Sequence, residues 1–368
     1  MTKTLRSLHR SALLAGAVAF ALASVCAPTT ARADEDDAQT AAAGEVPQDT
    51  LKSPMHLKDE GVFFVNGDVI KAKYPTSPDP VPGRVMINQM YVHYRIPVSA
   101  KKTPVVMVHG GGLTGVTYET TPDGREGWAT YFVRKGYPVY VVDIPGRGRS
   151  GFNVEAINEA KETGDVTGLP VIRRTTLNDA WASFRFGPEY KKKYPGVKYP
   201  LDHVTDFAGQ GVPYGELTLE GGALVQNANA VTALFEKIGP AILLVHSQSG
   251  PTADMVVGRR PDLVKAVINV EGNQLTIPTD EQIAAYRNVP DLEIFGDNVE
   301  GNPSSTGQSR LDGRTAVVKR IRKAGGDAKV VQLPSVGFKG NTHMLMQDRN
   351  NLKVADYLLD WLAEKVKE

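Results

Sequence analysis

The chain has 368 residues, with 42 Lys and Arg against 41 Asp and Glu, a formal net charge of +1, and 41% apolar residues. That balance argues against nucleic acid or an anionic membrane as the main partner, and the length suits one large domain with an insertion. The single cysteine, Cys26, excludes a disulfide framework.

Residues 1–33 read as a signal peptide. Lys3, Arg6 and Arg10 form a basic start, and Ser11 to Val25 is an apolar run too short to span a bilayer comfortably. Ala31-Arg32-Ala33 fits the small-x-small cleavage rule, which puts cleavage before Asp34. A lipid anchor on Cys26 is disfavoured, because Ala23-Ser24-Val25 lacks the leucine and the small residue of a lipobox. Cleavage removes Lys3, Arg6, Arg10 and Arg32 and no acid, so the remaining chain is mildly acidic and free of cysteine. The expected location is periplasmic or secreted. No other stretch is apolar enough to cross a membrane. Residues 34–60 read as a flexible acidic arm.

From residue 61 the spacing predicts alternating strands and helices. Residues 61–65 and 85–92 read as an opening hairpin. Pro104 to His109 is a continuous apolar run that suits a strand buried on both faces. Trp128 to Lys135 reads as a helix, Tyr137 to Ile144 as the next buried strand, and Gly146-Arg147-Gly148 as its glycine-rich exit. The rhythm then breaks over about 151–218, which holds five prolines and many aromatics, among them Trp181, Phe184, Phe186, Tyr199 and Phe207. A loop that long in a compact domain is usually functional, and a cap over a site is the expectation. Leu224, Ala228, Val231, Leu234 and Ile238 recur at helical spacing, and strands are expected at 241–246, 264–270, 292–295 and 330–333. Leu352 to Val366 reads as a C-terminal helix. Together these predict an α/β fold, a mostly parallel sheet covered on both faces with an inserted cap.

Between the strand 241–246 and a following helix lies Val245-His246-Ser247-Gln248-Ser249-Gly250. A serine on a sharp strand-to-helix turn is how a hydroxyl is presented as a nucleophile, although both glycines of G-x-S-x-G are replaced here. Elbow geometry favours Ser247 over Ser249. The hydroxyl needs a base, and the base a partner to hold its tautomer. His343, in Gly340-Asn341-Thr342-His343, is the only histidine C-terminal to Ser247. For the acid, Glu271 at the end of the strand 264–270 competes with Asp297 after the strand 292–295, where the position three after the glycine is Val299. His109-Gly110-Gly111-Gly112 follows a buried strand. Its glycines let backbone N–H groups approach a substrate closely, so Gly111 (or Gly112) and Gln248 are the expected oxyanion hole. No nucleotide-binding glycine motif or metal-ligand spacing is present, so no cofactor and no metal are expected.

His109-Gly110-Gly111-Gly112, the serine run, Glu271 and Asn341-Thr342-His343-Met344-Leu345-Met346-Gln347-Asp348 resemble secreted bacterial esterases of the α/β-hydrolase superfamily, over roughly residues 60–366. The similar subgroup has a Ser-Glu-His triad whose glutamate follows the sixth strand. The resemblance implies Ser247 as nucleophile, Glu271 as acid and His343 as base, in an α/β-hydrolase fold that cleaves carboxylic esters. An amidase or peptidase using the same triad is the alternative, and a non-catalytic binding protein on the same scaffold a weaker one. A small-molecule ester is the expected partner, with no nucleic acid and no stable membrane association. A homodimer is compatible with the chain.

Overall fold

In a computed structural model of the protein, residues 54–72, 83–214 and 222–367 are described. The expected signal peptide and residues 34–53 of the expected arm lie outside the described residues. The rest of that arm does not remain an arm. Strand β1 (Leu57–Val65) starts four residues before the expected boundary, because Leu57 to Val65 pair antiparallel with β4 (Met90–Pro97). Backbone pairing overrides the charge of Lys58-Asp59-Glu60 there.

The strand expected over 85–92 is two strands. β2 (Asp68–Ala72) and β3 (Gly83–Ile87) make a separate antiparallel pair, and the chain turns at Asn88 before β4. Asn88 takes φ +59°, a left-handed conformation that asparagine tolerates, and its amide donates to Asp68 Oδ2 at 3.0 Å. The hairpin is therefore β1 with β4, and β2–β3 bulges out of it.

The main sheet has eight strands in the order β1-β4-β6-β5-β7-β8-β9-β10, with β5 (Val105–Val108), β6 (Val139–Asp143), β7 (Ala241–His246), β8 (Val264–Val270), β9 (Asp291–Phe295) and β10 (Ala328–Gln332). All pairings from β6 to β10 are parallel. Successive side chains on a strand face opposite sides, and the core divides accordingly. Val105 and Met107 of β5 join Ile242 and Leu244 of β7 on one face; Val106 and Val108 join Leu243 and Val245 on the other. This is why β5 and β7 read as unbroken apolar runs.

Helices α1 (Val116–Glu119) and α2 (Trp128–Arg134) link β5 to β6. The stretch expected as an insertion holds α3 (Glu155–Thr163), α4 (Leu177–Ser183) and α5 (Val204–Gln210); its residues 215–218 lie outside the described residues. α6 (Ala223–Ile238), α7 (Gly250–Arg259), α8 (Asp280–Ala285), α9 (Gln308–Lys323) and α10 (Asn351–Lys365) follow. Trp128 and Phe132 of α2 and Leu358 and Trp361 of α10 cover the first face, joined by Trp181, Phe186 and Phe207 of the inserted stretch. Trp181 packs edge-on to Phe186 and Tyr190, and Phe186 stacks on Tyr199 at 4.1 Å. These aromatics belong to the same apolar cluster as the sheet, so the inserted stretch is welded to the body. α6, α7 and α9 cover the other face.

Among the described residues no helix is long and apolar enough to cross a membrane, and no group of three or more His, Cys, Asp or Glu is placed to hold a metal ion.

α9 docks through a buried cation as well as through Val317 and Ile321. Arg314 is fully buried and donates to Asp254 Oδ2 of α7 at 2.7 Å and to Glu293 Oε1 of β9 at 2.8 Å. Removing one partner of a buried ionic set leaves uncompensated charge. Arg314→Met is expected to destabilise the fold by about 3–5 kcal/mol, seen as a lower urea midpoint with an unchanged slope.

Candidate active site

The C-terminal edges of the parallel strands carry the candidate residues. β5, β7 and β8 are neighbours, so the glycine run after β5, Ser247 after β7 and Glu271 after β8 stand side by side. β8 is the sixth strand of the eight-stranded sheet in chain order.

Ser247 opens a short turn between β7 and α7 with φ +54°, a left-handed conformation that L side chains rarely adopt. The sharp turn lifts Oγ out of the strand line, 2.9 Å from His343 Nε2. His343 Nδ1 lies 3.0 Å from Glu271 Oε2. With Glu271 ionised, Nδ1–H donates to it, and Nε2 is left to accept the serine proton. Ser249 is not at this junction: its hydroxyl donates to the His109 carbonyl at 2.6 Å. Asp297 is not there either. Its carboxylate accepts from the backbone N–H groups of Gly340 and Asn298, and so fastens the start of the His343 loop.

Glu271 is fully buried, also in a left-handed backbone conformation with φ +56°. Burial pushes its carboxyl up, but the Arg185 guanidinium and His343 outweigh that and hold it well below the usual carboxylate range. Arg185 grips both oxygens: Nη1 donates to Oε2 at 2.9 Å and Nη2 to Oε1. Gly296 N–H adds a third donor at 2.6 Å. His343 is lowered to about 4, because burial disfavours the imidazolium more than Glu271 favours it, and Arg310 and Arg185 add repulsion. The ring lies against Phe184 and His246, at 5.1 and 4.7 Å between centroids. The loop that carries it is clamped by the buried Asp348, which accepts from Thr342 N–H, Thr342 Oγ1 and Asn341 Nδ2.

The glycine run reaches Ser247 because it has no side chains. A Cβ on Gly110 would sit 2.6 Å from His246 Nδ1 and 2.8 Å from Ser247 Cβ. Arg147 ties the run to the serine turn: Nη1 donates to Gly110 O at 2.7 Å and Nη2 to Gln248 Oε1 at 2.8 Å. His109 holds its own place locally, with Nε2 accepting from Ile144 N–H and Nδ1–H donating to Gly110 O. Gly111, Ser247 and Gln248 together line one wall of a cavity of about 760 Å³, in the usual size range for small-molecule sites.

Three arginines of this site were not singled out by the sequence. Arg185 lies in the inserted stretch, Arg147 in the glycine-rich exit of β6, and Arg310 in α9. Arg310 Nη1 donates to Ser247 Oγ at 3.0 Å and to the Glu271 carbonyl at 2.8 Å. No spacing rule points to them, because each reaches the site from a different loop or helix.

A mostly parallel eight-stranded sheet in this order, covered by helices on both faces and carrying a serine turn after its fifth strand, is an α/β-hydrolase fold. No protein-family model matches the chain. It is 37% identical to a bacterial esterase of solved structure, with 86% of this chain and 98% of that one covered and a TM-score of 0.81. It is 26% identical over 331 residues, 75% of this chain and 86% of the relative, to a probable secreted lipase of a fungal species. The chain belongs to the family of that bacterial esterase, and it is a carboxylic ester hydrolase.

Any side chain at position 110 pushes the glycine run away from Ser247. Gly110→Ala is expected to lower kcat on a short-chain ester by about 100-fold, the order of cost of displacing a backbone donor near a reacting centre, with the circular dichroism spectrum retained.

Proposed function

We propose that the enzyme cleaves esters through an acyl-enzyme on Ser247. The observation that carries this reading is the unbroken contact chain from Ser247 Oγ to His343 Nε2 and from His343 Nδ1 to Glu271 Oε2, at 2.9 and 3.0 Å. His343 takes the serine proton as Oγ bonds to the ester carbonyl carbon. The carbonyl oxygen becomes an oxyanion, facing the backbone N–H groups of Gly111 and Gln248. Collapse breaks the bond to the alcohol, which leaves with the proton from His343. Water then attacks the acyl-enzyme, giving its proton to His343, and Ser247 departs reprotonated with release of the acid. Glu271 keeps the imidazole in its tautomer and stabilises its cation. The Arg310 N–H on Oγ favours the serine's departure in the second half.

Ser247→Ala is expected to lower kcat on 4-nitrophenyl butyrate by at least about 10⁴-fold. A fluorophosphonate should label Ser247, located by peptide mass spectrometry; labelling of Ser249 instead, or none, overturns the reading. Matched ester and amide substrates separate an esterase from an amidase.

The base works only when neutral, so activity is lost as pH falls through its pKa. With His343 held at about 4, kcat/KM should stay on its plateau well below pH 6.5 and fall to half near pH 4. Glu271→Gln removes the anion that favours the imidazolium, and kcat should fall by about 10⁴-fold.

The N-terminal signal and the relative's description as a secreted lipase support a reading of the chain as exported to the periplasm or medium. The inserted stretch, which places Phe184 and Tyr214 on the cavity wall, fits a cap. Cell fractionation with mass spectrometry of the mature N-terminus tests export, with Asp34 as the expected first residue.

A further inference from the structure

The described lining of the cavity beside Ser247 is rich in arginine. Among the described residues, Arg173, Arg174 and Arg310 line it against one carboxylate, Asp179, which accepts a hydrogen bond from Thr176. Arg185 is not part of this surplus, because Glu271 neutralises it. Arg173 and Arg174 are exposed and form no ion pair among the described residues.

Arg310 is the telling residue, at 8% exposure. Its hydrogen-bond partners are all neutral: the Ser305 carbonyl on Nε, and Ser247 Oγ and the Glu271 carbonyl on Nη1. Burial pulls its pKa down to about 10, outweighing the nearby Glu271 charge, with Arg185 adding repulsion. Nη2 has no partner among the described residues, and it is not sealed off as a buried unsatisfied atom. Its N–H groups are left to the cavity, next to the serine hydroxyl. A buried guanidinium normally acquires a carboxylate or phosphate partner. No carboxylate among the described residues bonds to Arg310, so an anion that fills the cavity can take that place.

We propose that the preferred substrate is an ester that carries a free carboxylate in its acyl or its alcohol part, which pairs with Arg310 and faces Arg173 and Arg174. This rests on the assignment of Ser247 as nucleophile, since it measures the carboxylate's place from the scissile bond. One cavity-facing nitrogen of Arg310 with two exposed arginines suits a singly charged carboxylate. Ile172, Phe184 and Leu275 on the same cavity accommodate the hydrocarbon between the two functional groups.

The test compares kcat/KM, measured by pH-stat at about pH 7.5, within two near-isosteric pairs. Monoethyl adipate against ethyl hexanoate places the carboxylate in the acyl half. The butyrate ester of glycolic acid against isobutyl butyrate places it in the alcohol half. In at least one pair the anionic ester should be favoured by about tenfold or more, the gain expected for one charge-assisted hydrogen bond. The readout is the ratio within a pair, so general damage to catalysis cancels. Arg310→Met should bring the ratio to one or below, whereas Arg310→Lys should keep it above one. Should Arg310→Met fail to fold, Arg173→Gln with Arg174→Gln should lower the same ratio. Neutral esters turned over as well as or better than anionic ones in both pairs would overturn the proposal while leaving the esterase chemistry intact. No turnover of any ester, with Ser247 unlabelled by fluorophosphonate, would overturn both.

Discussion

A carboxylate with no water around it stays ionised only if protein groups replace its hydration, and the arrangement around Glu271 is organised by that requirement. Its two oxygens take Arg185, His343 and the Gly296 N–H. Arg185 comes from the inserted stretch, so docking that stretch and keeping Glu271 charged are one event. The same guanidinium also donates to the Asp297 and Thr306 carbonyls, so three loops meet on it. His343 is oriented by the carboxylate and by its own N–H to the Phe184 carbonyl, one residue before Arg185. The inserted stretch, expected from the sequence as a cap, therefore reaches the centre of the site from behind.

α9 adds a second constraint. Arg310 and Arg314 are one turn apart and share a face of the helix. Arg314 anchors the helix in the carboxylates of α7 and β9, and that anchorage fixes how far Arg310 extends toward Ser247. A buried cation whose hydrogen-bond partners among the described residues are neutral is held beside the serine by a well-paired one a turn away.

The sheet was legible because its central strands are buried on both faces and read as uninterrupted apolar runs; 241–246 and 264–270 match β7 and β8 to the residue. The strand-to-helix turn brought Ser247 to notice and chain order His343, while Glu271 competed with Asp297 until the resemblance to secreted esterases favoured it; the three are in contact. α9 was not foreseen, since its inward face includes two arginines and its apolar periodicity is diluted by charge. The strand expected over 85–92 failed at Asn88, because a left-handed turn costs asparagine little and leaves no mark in an apolar pattern. The arginines escaped for a different reason: pairing between segments 86 residues apart, as in Arg185 and Glu271, has no local signature.

The three tryptophans are all buried, and their distribution has a spectroscopic consequence. Trp128 and Trp361 sit in helices of the body, while Trp181 alone belongs to the inserted stretch, its indole donating to the Lys192 carbonyl among edge-on aromatic rings. A chain with Trp128 and Trp361 replaced by phenylalanine would carry its only indole emission in the stretch that supplies Arg185. Loosening of that stretch would then be visible as a red shift, separately from melting of the sheet.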